Sequence, residues 1–436
     1  MTAADRAGTP PHAEQDRARR AVEAVWRIES PRLIAGLTRL VLDIGVAEEL
    51  AQDALVAALE QWPRDGVPRN PGAWLMTTAK RRGIDLIRRN ETLARKVALL
   101  GHELETAQGA AAFEEPGSGP EGDIEDDLLR LVFVACHPVL SREARLALTL
   151  RLLGGLTTDE VARAFLVAEP TVAQRIVRAK RTLAKEKVPF EVPQGDELAG
   201  RLASVLEVVY LIFNEGYSAT AGDDWMRPGL CEDALRLARV LQGLMPAEPE
   251  VHGLAALLEV QASRSAARTK DGVPVTLLEQ DRRRWDQLLI RRGFAALARA
   301  DAAARARGAA PGPYALQAAI AACHAQAVRA ADTDWARIAG LYRALAATAP
   351  SPVVELNRAV AVGMAEGPAA GLALVDALAA GGALEGYHLL PSVRGDLLAR
   401  LGRTAEAREE FVRAAGLTRN GAERALLLGR AAASGG

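Results

Sequence analysis

Six cations fall in the eighteen residues from Pro170 to Lys187: Arg175, Arg178, Lys180, Arg181, Lys185 and Lys187, against the single acid Glu186. Guanidinium and ammonium groups crowded onto one helix neutralise phosphates, while side chains near that helix's N-terminus can meet base edges. A second cationic run spans residues 69–96. It holds Arg69, Lys80, Arg81, Arg82, Arg88, Arg89, Arg95 and Lys96 against Asp85 and Glu91. Residues suited to covalent chemistry are sparser. Cys136-His137 and Cys323-His324 are adjacent pairs, a spacing that suits neither zinc nor a catalytic dyad. Each pair lies in an apolar helical stretch, where a core cysteine beside a half-buried histidine is the common occupant. His252 and His388 also read as packing residues. No His-Glu-x-x-His, Gly-x-Ser-x-Gly or phosphate-loop pattern occurs. The chain reads as a binding protein and not an enzyme, with no catalytic residue, metal site or cofactor.

Helices must carry these groups. Apolar residues recur at three and four, as in Leu50, Ala51, Ala54, Leu55, Ala58, Leu59 and Trp62, and alternating strand-like runs are absent. The fold class is all-α. The segment Leu156–Leu183 reads as a helix-turn-helix. Thr157 or Thr158 caps a short helix with Glu160 near the capping-box position, and Val161, Ala162 and Phe165 form its inner face. A turn covers residues 166–169, and Pro170 suits the first position of the next helix. Val172, Ile176, Ala179 and Leu183 make that helix's inward stripe, leaving Thr171, Ala173, Gln174, Val177, Arg178 and Arg181 outward. Leu166 stands where helix-turn-helix turns often carry glycine. An ordinary α-hairpin with a solvated charged face shares parts of this pattern; the agreement of spacing, capping and charge sign favours DNA.

The earlier block, 21–96, is broken by the Pro/Gly cluster Pro63–Gly72. Glu48, Glu49, Gln52 and Asp53 share one helix face opposite the apolar stripe. After the loop, Trp74, Leu75, Ala79, Ile84 and Ile87 recur at helical intervals and are expected to pack inward. Residues 97–127 read as an acidic flexible linker, with nine acids and no Lys or Arg from Gly101 to Asp127. Helical periodicity then resumes over 128–187, and Pro189 and Pro193 mark another boundary. From 194 to 436 helical stretches alternate with breaks at Met245-Pro246, Pro311-Gly312-Pro313, Pro350-Ser-Pro352 and Gly381-Gly382. Tyr387–Gly402 followed by Arg403–Ala415 resembles a tetratricopeptide unit, and Val353–Met364 with Pro368–Ala380 repeats it weakly, so a helical-repeat domain is expected. Residues 1–20 read as a disordered N-terminus and not a signal peptide, and no uncharged apolar run approaches the ~18 residues that span a bilayer. A cytoplasmic protein without a membrane partner is expected.

The order of these parts resembles a bacterial sigma factor of the extracytoplasmic-function type, in the subgroup with a tetratricopeptide-like C-terminal extension. Glu48-Glu-Leu-Ala-Gln-Asp53 looks like the polymerase-binding helix of region 2. Ala73-Trp-Leu, followed by Ile84-Asp-Leu-Ile-Arg-Arg89, looks like the helix that meets the −10 element, and Leu156–Leu183 looks like region 4, which reads the −35 element. The resemblance implies RNA polymerase core and promoter DNA as partners. Glu48, Glu49, Gln52 and Asp53 would face polymerase. Arg69, Asn70, Trp74, Lys80, Arg81, Arg82, Asp85, Arg88 and Arg89 would serve the −10 element. Thr171, Ala173, Gln174, Arg175, Val177, Arg178, Lys180 and Arg181 would serve the −35 element. The helical-repeat domain would take a protein or small-ligand partner. Tyr210–Tyr217 is similar to a stretch of that subgroup, and no chemistry follows from it. The competing reading is a polymerase-independent helix-turn-helix regulator with an α-solenoid sensor.

Net charge hides the pattern. The total is −1, yet residues 1–189 hold 27 basic and 27 acidic groups, nine of the acids in the linker. The flanking modules therefore carry +9 and the linker −9, and the remainder, 27 basic against 28 acidic, carries −1.

Overall fold

A computed structural model describes residues 11–101, 121–165, 167–219, 225–270, 273–382 and 384–434. The chain divides into two compact units, the first made of residues up to 163 with 167–208, the second of 209–436 with 164–166. The described residues are helical apart from one two-residue-stranded hairpin, β1 (Thr269–Lys270) with β2 (Val273–Pro274), and connecting segments.

In the first unit, α1 (Pro11–Val41) packs against α2 (Ile44–Asp65), α3 (Pro71–Gly101) and α4 (Glu121–Ala135). Helix α1 starts at Pro11, so residues 11–20, read above as disordered, are helical; residues 1–10 lie outside the described residues. Their Ala, Arg, Glu and Gln content favours this. Asp43 caps α2 by accepting from the Val46 amide at 2.9 Å, and Gly66, at φ +83°, ends it inside the Pro/Gly cluster. The α2 stripe is buried at Leu50, Ala51, Ala54, Ala58 and Trp62, while Leu59 is exposed. The inner face of α3 differs from the expected one. Leu75 and Ala79 are buried, but Gly83 and not Ile84 continues the stripe, and Ile84 is exposed. A Cβ at Gly83 would lie 3.3 Å from the side-chain ends of both Leu40 and Leu50, so glycine lets α3 pack on them without a shift of either leucine.

The acidic linker is shorter than 97–127. Helix α3 runs through Gly101 and α4 begins at Glu121, leaving 102–120 outside the described residues. Asp127 shows why the end of the acidic run is structured: it is buried and paired with Arg39 at 3.2 Å and Arg130 at 2.7 Å. Helices α5 (Arg142–Leu152), α6 (Thr158–Phe165) and α7 (Glu169–Lys185) follow. Helix α8 (Asp196–Tyr217) moves the second boundary. Arg201 donates to the Phe133 carbonyl at 3.1 Å, Ser204 to the Cys136 carbonyl at 2.6 Å, and Arg145 meets Glu207 at 3.3 Å. These bonds keep residues through Val208 in the first unit, although Pro189 and Pro193 break the helix.

The second unit is a run of helices, each packed on the next: α9 (Pro228–Leu244), α10 (Pro249–Ala262), α11 (Gln287–Ala306), α12 (Pro313–Gln326), α13 (Trp335–Thr348), α14 (Pro352–Ala365), α15 (Pro368–Ala380), α16 (Leu389–Arg400), α17 (Thr404–Leu417) and α18 (Gly421–Ala433). Every expected break lies between helices. Close crossings are made by glycine: a Cβ on Gly371 would meet the Gly363 Cα at 2.8 Å. Glu250 of α10 accepts from the amides of Tyr314 and Ala315 at 2.8 and 3.1 Å, capping α12 from a distance. The run returns on itself. The Asn420 side chain donates to the Ala219 carbonyl at 3.1 Å, and α18 packs against β2.

Candidate nucleic-acid interface

The helix-turn-helix is built by local chemistry. Glu160 accepts from the Thr157 amide at 2.8 Å while its own amide donates to Thr157 Oγ1 at 3.1 Å, a complete capping box with Thr157 as the cap. Val161 and Ala162 of α6 are buried, as are Val172, Ile176, Ala179 and Leu183 of α7. Pro170 is the second residue of α7, one later than expected, because Glu169 opens the helix. Leu166 lies outside the described residues. Burying those four apolar groups leaves Thr171, Gln174, Val177, Arg178 and Arg181 exposed, with Ala173 and Arg175 half-buried. This is a solvated polar and cationic face of a single helix, the element that a DNA major groove admits.

A second cationic surface lies on α3. Asn70 accepts from the Ala73 amide at 3.1 Å and so caps the helix. Trp74 is half-buried, its ring 5.5 Å from that of Trp62 in an edge-on pair at 68°. Arg69, Arg81, Arg82, Arg88 and Arg89 are exposed, as is Asp85, and Lys80 is half-buried. Arg82 reaches Asp53 of α2 at 3.3 Å, an exposed pair of small energetic weight.

The acidic face of α2 does not act as one surface. Glu49 and Asp53 are exposed and Gln52 is half-buried, but Glu48 is 4% exposed. Its carboxylate takes a bond from Gln52 at 2.9 Å, pairs with Arg151 of α5 at 2.6 Å and pairs with Lys180 of α7. Burial pushes the Glu48 pKa up; Lys180 and Arg151 more than reverse this and hold it below the usual carboxylate range. In this conformation Glu48 is buried, and the half-buried Lys180 is engaged with it. Arg151, which also donates to the Leu156 carbonyl at 3.0 Å, had no distinguishing mark in the sequence.

The cysteines are packing residues. All three are buried; burial pushes the Cys136 thiol up to about 11 and the Cys231 thiol up to about 12. His252 is bonded to the Pro246 carbonyl at 2.8 Å and to Gln242 at 3.0 Å. Among the described residues no three His, Cys, Asp or Glu side chains converge as a metal site would require, and no helix is long and apolar enough to cross a membrane.

An all-helical first unit with a capped helix-turn-helix behind a cationic α3 defines a class of DNA-binding transcription protein. Comparison with known families sharpens this. The profile for sigma-70 region 2 matches residues 26–92, that for sigma-70 region 4 matches 130–183, and a family of unknown function (DUF6596) matches 201–301. The chain belongs to the sigma-70 family, of the extracytoplasmic-function type, with a helical C-terminal extension. It is 46% identical over 398 residues to "Uncharacterized protein R00370" of Rhizobium meliloti (strain 1021), covering 91% of this chain and 92% of that one. It is 29% identical over 161 residues to the ECF RNA polymerase sigma factor SigK of Mycobacterium tuberculosis (strain H37Rv) and to that of Mycobacterium bovis (strain BCG / Pasteur 1173P2), 35% of this chain and 78% of each relative. No solved structure matches. The chain is thus a sigma factor, a DNA-binding protein of transcription initiation.

Proposed function

We propose that this sigma factor binds RNA polymerase core through the exposed part of α2 (Glu49, Gln52 and Asp53), holds the −10 element with α3 and its N-terminal loop, and reads the −35 element with α7. The observation that carries this reading is the order and exposure of two cationic helices, each backed by its own buried stripe. Promoter opening needs one module for unstacked bases and another anchored on duplex upstream. Arg69, Asn70 and Trp74 form a cationic, aromatic edge suited to the first task, and Gln174, Arg178 and Arg181 suit the second. Glu48 and Lys180 belong to opposite tasks yet hold each other. In the conformation described Lys180 is held by Glu48, so Lys180 itself reaches a phosphate only after leaving that carboxylate, whereas Gln174, Arg178 and Arg181 are already exposed.

Assembly with core tests the polymerase assignment. Asp53→Lys should weaken holoenzyme formation in a native gel, while a charge change at exposed Glu60 on the far end of α2 should not. Equal assembly of both variants would remove α2 from the interface. Tight promoter binding by the chain alone, with no effect of core, would instead favour a polymerase-independent regulator.

A further inference from the structure

Three guanidinium groups in the second unit share a set of aromatic rings. Arg268 lies 3.6 Å from the centre of the Tyr217 ring and 5.5 Å from that of Trp225. Arg264 is 5.7 Å from Tyr217 and 5.8 Å from Trp285, and Arg282 is 5.0 Å from the same Trp285. Tyr217 is the last residue of the Tyr210–Tyr217 stretch that the sigma reading left unused. The three cations are half-buried. Among the described residues no carboxylate forms a salt bridge with any of them: Glu215 pairs with Arg227, and Asp332, whose charge reaches Arg282, pairs with Arg329 at 2.8 Å.

Most of the unpartnered buried polar atoms of these residues are donors, with the Tyr217 hydroxyl also unpartnered. Trp225 Nε1, Trp285 Nε1, Arg264 Nε and Arg282 Nε are buried donors without a partner, and His324 Nδ1 is likewise unpartnered. Gln280 Oε1 is an unpartnered acceptor of the same unit. Arg268 is anchored by the Tyr217 carbonyl at 2.9 Å, and Arg282 holds the His324 carbonyl at 2.6 Å, the Ala327 carbonyl at 2.7 Å and Thr333 Oγ1 at 3.1 Å. Arg264 has only Gln261. Burial first, then the nearby charges of Arg264 and Arg282, push His324 down to about 4. Burial and Tyr210 push the Tyr342 phenol up to about 12 against the pull of Arg264, whose charge is felt there.

Half-buried cations that repel one another and leave donors unbonded are costly unless an anion completes them. A guanidinium fork fits the paired oxygens of carboxylate or phosphate, and aromatic walls fit an organic body. The orphaned donors are buried, so an anion that completes them has to be compact enough to enter between the rings. We propose that the C-terminal unit binds a small organic anion, carboxylate or phosphate ester, at a site centred on Arg264 and flanked by Arg268 and Arg282.

The full chain is titrated with inorganic phosphate and with succinate at matched ionic strength, following melting temperature and calorimetric heat. At least one probe is expected to bind saturably, and Arg264→Gln to weaken it about tenfold or more. Arg291→Gln, on the exposed face of α11, is expected to leave it unchanged. Which probe binds tells carboxylate from phosphate. No saturable binding of either, or equal binding by R264Q, overturns the site. Should R264Q fail to fold, phenylglyoxal labelling of the unaltered chain decides: the bound probe protects Arg264 and Arg268, and unprotected labelling overturns the proposal. None of these readouts depends on polymerase.

Discussion

Glu48 couples two surfaces that the sequence kept apart. Its pairing with Lys180 predicts that Glu48→Gln loosens that contact, lowering the melting temperature by the equivalent of about 1–3 kcal/mol while raising the affinity of the free chain for a −35 duplex. Unchanged DNA affinity would contradict the coupling. The pH sign follows from the lowered carboxyl pKa. The pair contributes fully above the ordinary Glu value of 4.5 and loses its contribution as pH falls through the lower folded value, so acid melts should show a steeper decline in the unaltered chain than in E48Q. On the exposed face of α7, replacing Gln174 or Arg178 should shift −35 base preference at about 1–3 kcal/mol per lost base contact. Neutralising Arg181 should weaken binding to all sequences and reduce the salt slope by about one. Residue types and spacing made α7 legible in the sequence. The Glu48 network was not, because α2, α5 and α7 meet only through tertiary packing, and a solvated glutamate reads the same as a buried one.

At the element scale, local signals were accurate where caps and stripes agreed. Thr157, Glu160 and the Val172–Leu183 stripe fixed α6 and α7 within a residue. Thr157→Ala should cost about 1 kcal/mol, read as a lower denaturation midpoint at constant slope. The α3 face slipped by one position, since Gly83, buried against the side-chain ends of Leu40 and Leu50, gives no hydrophobic signal. The acidic run was read as one linker because charge density outweighed periodicity; the buried Asp127 between Arg39 and Arg130 reverses that for its last residues. Pro189 and Pro193 break the helix, and Arg201, Ser204 and Glu207 tie the start of α8 to the first unit beyond them. A chain cut after Val208 should therefore melt higher than one cut after Pro193, which lacks Arg201, Ser204 and Glu207 and leaves Arg145 without its acid. Equal melting would place the boundary at the prolines.

For the whole molecule, the helical class and the succession of C-terminal helices were legible from periodicity and breaks, and the two sigma modules from their resemblance to regions 2 and 4, while the contact of Asn420 with the Ala219 carbonyl, made across the length of the second unit, left no mark in the sequence. That unit also carries its own pH response. His324, buried beside Arg264 and Arg282 and edge-on to Trp335, is neutral when folded, so stability present above pH 6.5 should drain away as pH falls toward about 4. His324→Gln should flatten that decline in pH-dependent melts. The opposed charges of modules and linker, +9 and −9, further predict promoter binding that weakens steeply with salt in spite of a net charge of −1. The most direct measurement of the central claim is multi-round transcription by purified core polymerase on a library of genomic promoter fragments, with and without this chain. Transcripts that appear only with the chain, from fragments sharing −10 and −35 sequences and lost with Arg88 and Arg89 replaced by alanine, are the expected result. Promoter binding by the chain with no initiation above core alone would contradict it.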